Sequence, residues 1–224
     1  MPKYTTPPPK KTALDNAKLS IKGKPWTEGD FKTMPSLQPR YVNGNIWLTC
    51  YSNNPNEDND VGAINIKMDP LIANVVLEVI EMAIQDTDGF TTVGIENKGY
   101  TFYAGNKSDK PAVLNQIYIG VNPEKEICII VKENKRPAVT FPFTTTFWYN
   151  LTNKAGDALG RGEVSKLVAK AWVKTVRQLM GPIVNENYTP PEPRNQQGSG
   201  GHSNQNSQGG STNACNEIDD DIPF

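Results

Sequence analysis

Between about residues 14 and 149, apolar and polar positions alternate with period two between clusters of turn-forming residues, which predicts a chain built mainly of half-buried strands. In 14–24, Ala17, Leu19 and Ile21 alternate with Lys18, Ser20, Lys22 and Lys24, so one face of the expected strand is apolar and the other basic. In 41–51, Val42, Ile46, Leu48 and Cys50 stand against Tyr41, Asn43, Asn45, Trp47, Thr49 and Tyr51, giving a second face that is aromatic and amide-rich. The segment 62–68 repeats the alternation, with Ile64, Ile66 and Met68 against Asn65 and Lys67. In 115–132, Ile117, Ile119 and Val121 precede Asn122-Pro123-Glu124-Lys125 and then Ile127, Ile129 and Val131, the pattern of a hairpin whose alternate positions hold Gln116, Tyr118 and Lys132. A last strand region, 138–149, is aromatic and broken by Pro142, which points to an edge or a bulge.

Two segments switch to the helical period. Asp69 and Pro70 supply an N-cap and a first-turn proline to 71–84, where Leu71, Ile72, Val75, Val76, Ile80 and Ile84 recur at helical spacing. In 162–180, Val164, Leu167, Val168, Ala171, Trp172, Val176, Leu179 and Met180 make one stripe, and Lys166, Lys170, Lys174 and Arg177 make another. About five short strands with one inserted helix and a C-terminal amphipathic helix predict a mainly β fold, a five-stranded antiparallel barrel of the OB type. An SH3-like barrel or a β-sandwich would give a similar pattern.

Charge changes this picture because of where it lies. The 224 residues carry 23 basic and 24 acidic side chains, yet residues 1–188 hold 22 and 19 of these, while the last eight residues hold four acids and no base. Residues 1–13, with Lys3, Lys10 and Lys11 around Pro7, Pro8 and Pro9, read as a flexible basic arm ahead of a body at 14–188. Residues 189–216 are rich in Gly, Ser, Asn, Gln and Pro with almost nothing to bury, so a disordered linker spanning roughly 30 Å is expected. No run of 18 apolar residues exists and the first residues lack an apolar stretch, so neither membrane insertion nor secretion is expected and a cytoplasmic location is. Cys50, Cys128 and Cys215 are widely spaced and His202 is the single histidine, so neither a metal site nor a cofactor is expected.

The segment 217–224 is the most specific feature. Asp219, Asp220, Asp221, Ile222, Pro223 and Phe224 after such a linker resemble the acidic tail of bacterial single-stranded DNA-binding proteins. The body, with its inserted helix and basic closing helix, looks more like the phage-encoded members of that class, so the bacterial tetramer is not carried over, although self-association is compatible with the resemblance. The resemblance implies a protein of the bacterial cytosol, phage-encoded, that coats single-stranded DNA. It also implies that the six residues of the tip recruit replication, repair and recombination proteins. A terminal Phe offers a ring and a carboxylate together, which suits an apolar pocket rimmed by Arg or Lys. The plainer alternative is a solubilising acidic tail.

Binding single strands without sequence preference needs flat side chains that stack on any base and cations that track phosphates. Candidates are Lys18, Lys22 and Lys24 on one strand face, and Tyr41, Trp47 and Tyr51 on another. Trp47 and Tyr51 have the alternative of packing as core under the closing helix. The run Lys98, Tyr100, Phe102 with Lys107 reads either as an aromatic and basic hairpin or as a plain strand, and Tyr118 and Lys132 complete the set. Lys132, Lys135 and Arg136 also cluster at a turn, and the lysine stripe of 162–180 is either a phosphate track or a solvated helix face. An enzyme reading rests on Glu57, Asp58 and Asp60, a loop with the carboxylates of a magnesium site but without partner carboxylates at suggestive spacing. The expectation is therefore a non-catalytic single-stranded DNA-binding protein. Its rivals are an adaptor that captures host replication proteins and a strand-annealing recombination mediator.

Overall fold

The structure is a computed structural model in which residues 11–57, 62–103, 106–146 and 148–186 are described. The chain divides into a compact unit, Met1–Thr189, and a second unit, Pro190–Phe224. The expected linker and acidic tip, residues 1–10 of the expected arm, and Asp58 and Asp60 lie outside the described residues.

The described elements in chain order are β1 (Ile21–Lys22), β2 (Ser36–Val42), β3 (Asn45–Tyr51), β4 (Ile64–Met68), α1 (Pro70–Gln85), β5 (Val93–Gly99), β6 (Phe102–Tyr103), β7 (Asn106–Lys107), β8 (Ala112–Val121), β9 (Ile127–Glu133), β10 (Val139–Pro142) and α2 (Arg161–Glu186). The first four strands form one antiparallel sheet in the order β1-β2-β3-β4, and the second sheet runs β10-β9-β8-β5. The short pair β6-β7 is an excursion between β5 and β8. The plan is thus four antiparallel strands followed by a helix, used twice. Strands therefore form two four-stranded sheets, where the sequence pattern predicts one closed five-stranded barrel.

Much of that difference comes from one turn. Asn43 and Gly44 take φ of 48° and 80°, the two left-handed positions of a two-residue hairpin turn, so the expected strand 41–51 is two strands. Tyr41 then pairs with Ile46 and is 7% exposed, which corrects its expected place on the outward face: the turn lies between Tyr41 and Trp47. The expected strand 14–24 is also corrected, because two 3-10 turns, Ala13–Asp15 and Ala17–Leu19, precede the two-residue β1. Local side chains hold them: Thr12 donates its N–H and hydroxyl to Asp15 Oδ2 at 2.7 and 3.0 Å, and Asn16 Oδ1 accepts the Lys18 N–H at 3.0 Å.

In the first sheet the inward rungs are Leu37, Cys50 and Ile64, then Pro39, Leu48 and Ile66, then Tyr41, Ile46 and Met68. In the second they are Ile95, Ile117, Val131 and Val139, then Val93, Ile119, Ile129 and Phe141. Both helices contribute to the same core, where each fully buried aliphatic or aromatic side chain stabilises the fold by about 1.5–3 kcal/mol.

Asp69 Oδ1 caps α1 by accepting the Ile72 N–H at 2.8 Å, ahead of Pro70. Its buried face is Ala73, Val76, Leu77, Val79, Ile80 and Ala83, so Leu71 and Val75 lie outside the core, unlike their expected placement. The stripe on α2 is rotated in the same way. Ser165, Ala169, Trp172, Val173, Val176, Met180 and Ile183 face inward and Leu167 is exposed. Ser165 Oγ accepts the Ile127 N–H at 2.8 Å and docks the first turn of α2 on the start of β9. Further along, the Trp172 ring meets Phe143 edge-on at 5.6 Å and its indole N–H donates to the Leu19 carbonyl at 2.8 Å.

An ion cluster ties the sheets together. Arg136, in the turn between β9 and β10, donates Nη2 to Glu57 Oε2 at 2.8 Å and to the Gly62 carbonyl at 3.1 Å, and Nη1 to Glu133 Oε2 at 3.1 Å. Ser52 and Glu57 follow β3 and Gly62 precedes β4, so one guanidinium joins the β3–β4 connection of the first sheet to the β9–β10 turn of the second. Its side chain is 7% exposed.

Candidate functional site

Every inward rung implies an outward one, and the outward face of the first sheet is where aromatic and cationic side chains meet. Its central rung is Arg40, Trp47 and Lys67; the next is Gln38, Thr49 and Asn65; the last brings Lys22 in line with Ser36 and Tyr51. No acidic side chain stands in these rungs. Trp47 is half-buried on this face, with its indole N–H on the Val42 carbonyl at 3.3 Å, so its ring is held in place while part of it meets solvent. Arg40 is fixed beside it, Nε donating to Asp15 Oδ1 at 3.0 Å. The Thr49 hydroxyl donates to Asn65 Oδ1 at 3.0 Å, and Asn115 of β8 reaches the Asn65 carbonyl, tying this face to the second sheet. Tyr51 is exposed at the end of the same strand, and the indole N–H of Trp26 donates to the carbonyl of the following residue, Ser52, at 2.7 Å.

The second sheet presents a different outward face. Gly94, Tyr118, Ile130 and Thr140 form one rung; Glu96, Gln116 and Lys132 form the next, with Lys98 beyond Glu96 on β5. The Tyr118 ring lies on Gly94, where an added Cβ would come within 2.9 Å of Cε1, so glycine is required for that seat. Lys98 is paired with Glu96 at 3.1 Å, and this pairing, with the Gln116 amide, holds the Glu96 carboxyl below its ordinary value. In the excursion after β5, Lys107 Nζ stands 3.7 Å above the Tyr100 ring, a cation–π contact; the Phe102 side chain is outside the described residues.

Lys22 and Lys24 also line a pocket of about 370 Å³ where β1 meets β10, together with Thr144, Thr145, Arg161 and the buried Glu126, whose Oε1 lies 3.7 Å from Arg161 Nε. Lys18 sits apart from them on its 3-10 turn, exposed. The expected set thus resolves into separate groups: Lys22, Trp47 and Tyr51 on the first sheet, Lys98, Tyr118 and Lys132 on the second, and Tyr100 and Lys107 on the excursion. Arg40, Lys67 and Trp26 join the first group without having been singled out from sequence. Lys67 was legible as a polar-face residue of its strand, but its place beside Trp47 depends on register; Arg40 and Trp26 fall outside the alternating segments.

Two arginines of the cationic clusters, Arg136 and Arg177, are engaged in the fold. Arg136 is consumed by Glu57 and Glu133, and the guanidinium holds the Glu57 carboxyl below its ordinary value while its own is raised. Glu57, the one described member of the acidic loop, is committed to that contact. Arg177 bridges the helices through Glu78 at 2.8 Å and Glu81 at 2.9 Å. Burial pushes the Cys50 and Cys128 thiols up to about 12, which keeps them protonated and unreactive. No helix among the described residues is long and apolar enough to cross a membrane.

No family model and no curated protein matches the chain. Among solved structures, the crystal structures of Trypanosoma brucei MRP1/MRP2 align with 80% of this chain and 90% of theirs at 12% identity and a TM-score of 0.35, a likeness that carries no argument.

Proposed function

We propose that the chain is a non-catalytic, sequence-nonspecific single-stranded DNA-binding protein acting in replication, recombination and repair. The observation that carries the reading is the Arg40, Trp47 and Lys67 rung, with Tyr51 two rungs further along the same face. An indole beside Lys67, with Arg40 held by Asp15 on its other side, offers a stacking surface for any base and a charge for a neighbouring phosphate. The reading rests on this face and holds without an OB-type barrel. The resemblance of 219–224 to the tails of single-stranded DNA-binding proteins supports it and adds recruitment of other proteins through Asp219, Asp220, Asp221, Ile222, Pro223 and Phe224.

Tryptophan fluorescence on titration with poly-dT, against duplex of equal length, tests it. Quenching by poly-dT that weakens with salt is expected, with little response to duplex. Removing 217–224 should tighten binding, since the acidic segment opposes the basic face, and should abolish capture of partner proteins. A chain lacking 217–224 that ignores oligo-thymidine at low ionic strength sinks the reading and favours the adaptor. Accelerated pairing of complementary strands favours the annealing mediator.

A further inference from the structure

The two sheets have four outer edges, and among the described residues three of them are met by other parts of the chain. β1 lies against β10 so closely that a Cβ on Gly23 would sit 2.8 Å from the Thr140 carbonyl oxygen. The edge of β4 is met by Asn115, whose Nδ2 donates to the Asn65 carbonyl at 3.2 Å. β5 differs: Val93–Gly99 ladders with β8 on one side and makes no other backbone hydrogen bond among the described residues. A seven-residue strand without proline and with one side unpaired is a template for a further strand. The nearby irregularity leaves it regular. Asn97 pairs with Asn115 and Lys98 with Val113, so the extra residue is Leu114 in β8.

We infer that β5 pairs antiparallel with β5 of a second copy of this chain, about a two-fold axis at Asn97. The charges select this register. Glu96 and Lys98 project from the same face of β5, and an axis at Asn97 sets Glu96 of each copy opposite Lys98 of the other, two favourable cross-strand pairs. An axis at Glu96 or at Lys98 sets like charges opposite each other, and one at Ile95 sets Glu96 opposite Gly94. The product is an eight-stranded sheet whose outward face carries Tyr118, Lys132 and Lys98 from both copies. The pairing rests on the β5 edge and stands independently of nucleic-acid binding.

Sedimentation velocity on the full chain tests it, with E96K, K98E and an equimolar mixture of the two variants. Wild type should dimerise. Each reversal sets like charges opposite each other at two positions and should weaken the dimer roughly tenfold or more. Mixing should restore it, because one variant strand then carries two lysines and the other two glutamates; the in-strand pair of a single chain cannot produce that rescue. In wild type, amide exchange over 93–99 should slow as protein concentration rises. A wild-type chain that stays monomeric, a mixture that stays as weak as its components, or exchange at 93–99 independent of concentration overturns the inference.

Discussion

The two sheets share a plan and differ in what they show to solvent. Each is four antiparallel strands followed by a helix, and each turns its β-branched and aromatic rungs inward to one core. Outward, the first sheet carries Lys22 and Lys67, with Arg40 paired to Asp15, around Trp47 and Tyr51, whereas the second offsets Lys98 with Glu96 and seats Tyr118 on Gly94. Inward positions are constrained by volume and apolarity, so both sheets converge on the same residue types. Outward positions are free of that constraint, and their charge and rings reflect what each face meets. On the reading proposed above, the first sheet would offer the nucleic-acid face and the β5 edge of the second would extend the sheet.

The largest expected effect comes from breaking the joint between the sheets. Arg136→Ala leaves Glu57 and Glu133 without their shared guanidinium in a largely buried setting and should cost about 3 kcal/mol in urea unfolding. A loss within experimental error would mean the sheets are held by the apolar core alone. Next, Trp47→Ala should weaken oligo-thymidine binding by about 1–3 kcal/mol with an unchanged circular dichroism spectrum. Tyr118→Ala should cost under about 1 kcal/mol, since its ring is already seated on the backbone. Equal losses at the two positions would erase the distinction between the faces.

Lys67→Gln should leave sequence tolerance unchanged and reduce the slope of log affinity against log salt by about one, the signature of one lost phosphate contact. The smallest effect is on pH. The Glu57 carboxyl is depressed in the folded chain by Arg136, so its contribution is fully present above the ordinary value of 4.5 and is lost as pH falls through the lower folded value. Acid titration of unfolding should therefore show a loss of stability in that window for wild type, and a shallower one in Arg136→Ala, where the cause of the shift is gone.

Much of this was legible in the sequence, because side-chain period is local. The strand faces at 62–68 and 115–132, the Asp69 cap, both helices and the edge position of Pro142 all follow from spacing and turn chemistry. Trp47 and Tyr51 fall on one outward face as their alternation requires. The Asn43-Gly44 turn was also written in the sequence, yet a matching alternation on both sides concealed it and carried Tyr41 to the wrong face.

What the sequence determined by itself is which residues are apolar, where the chain turns, and that cations and rings alternate with core positions. The tertiary structure alone decided which of them meet. The rung of Arg40, Trp47 and Lys67 is a matter of register between three strands, and the ion cluster at Arg136 joins residues more than seventy positions apart. Local preferences act over a few residues, whereas pairing across strands depends on how the whole core closes, so composition and period cannot reveal it.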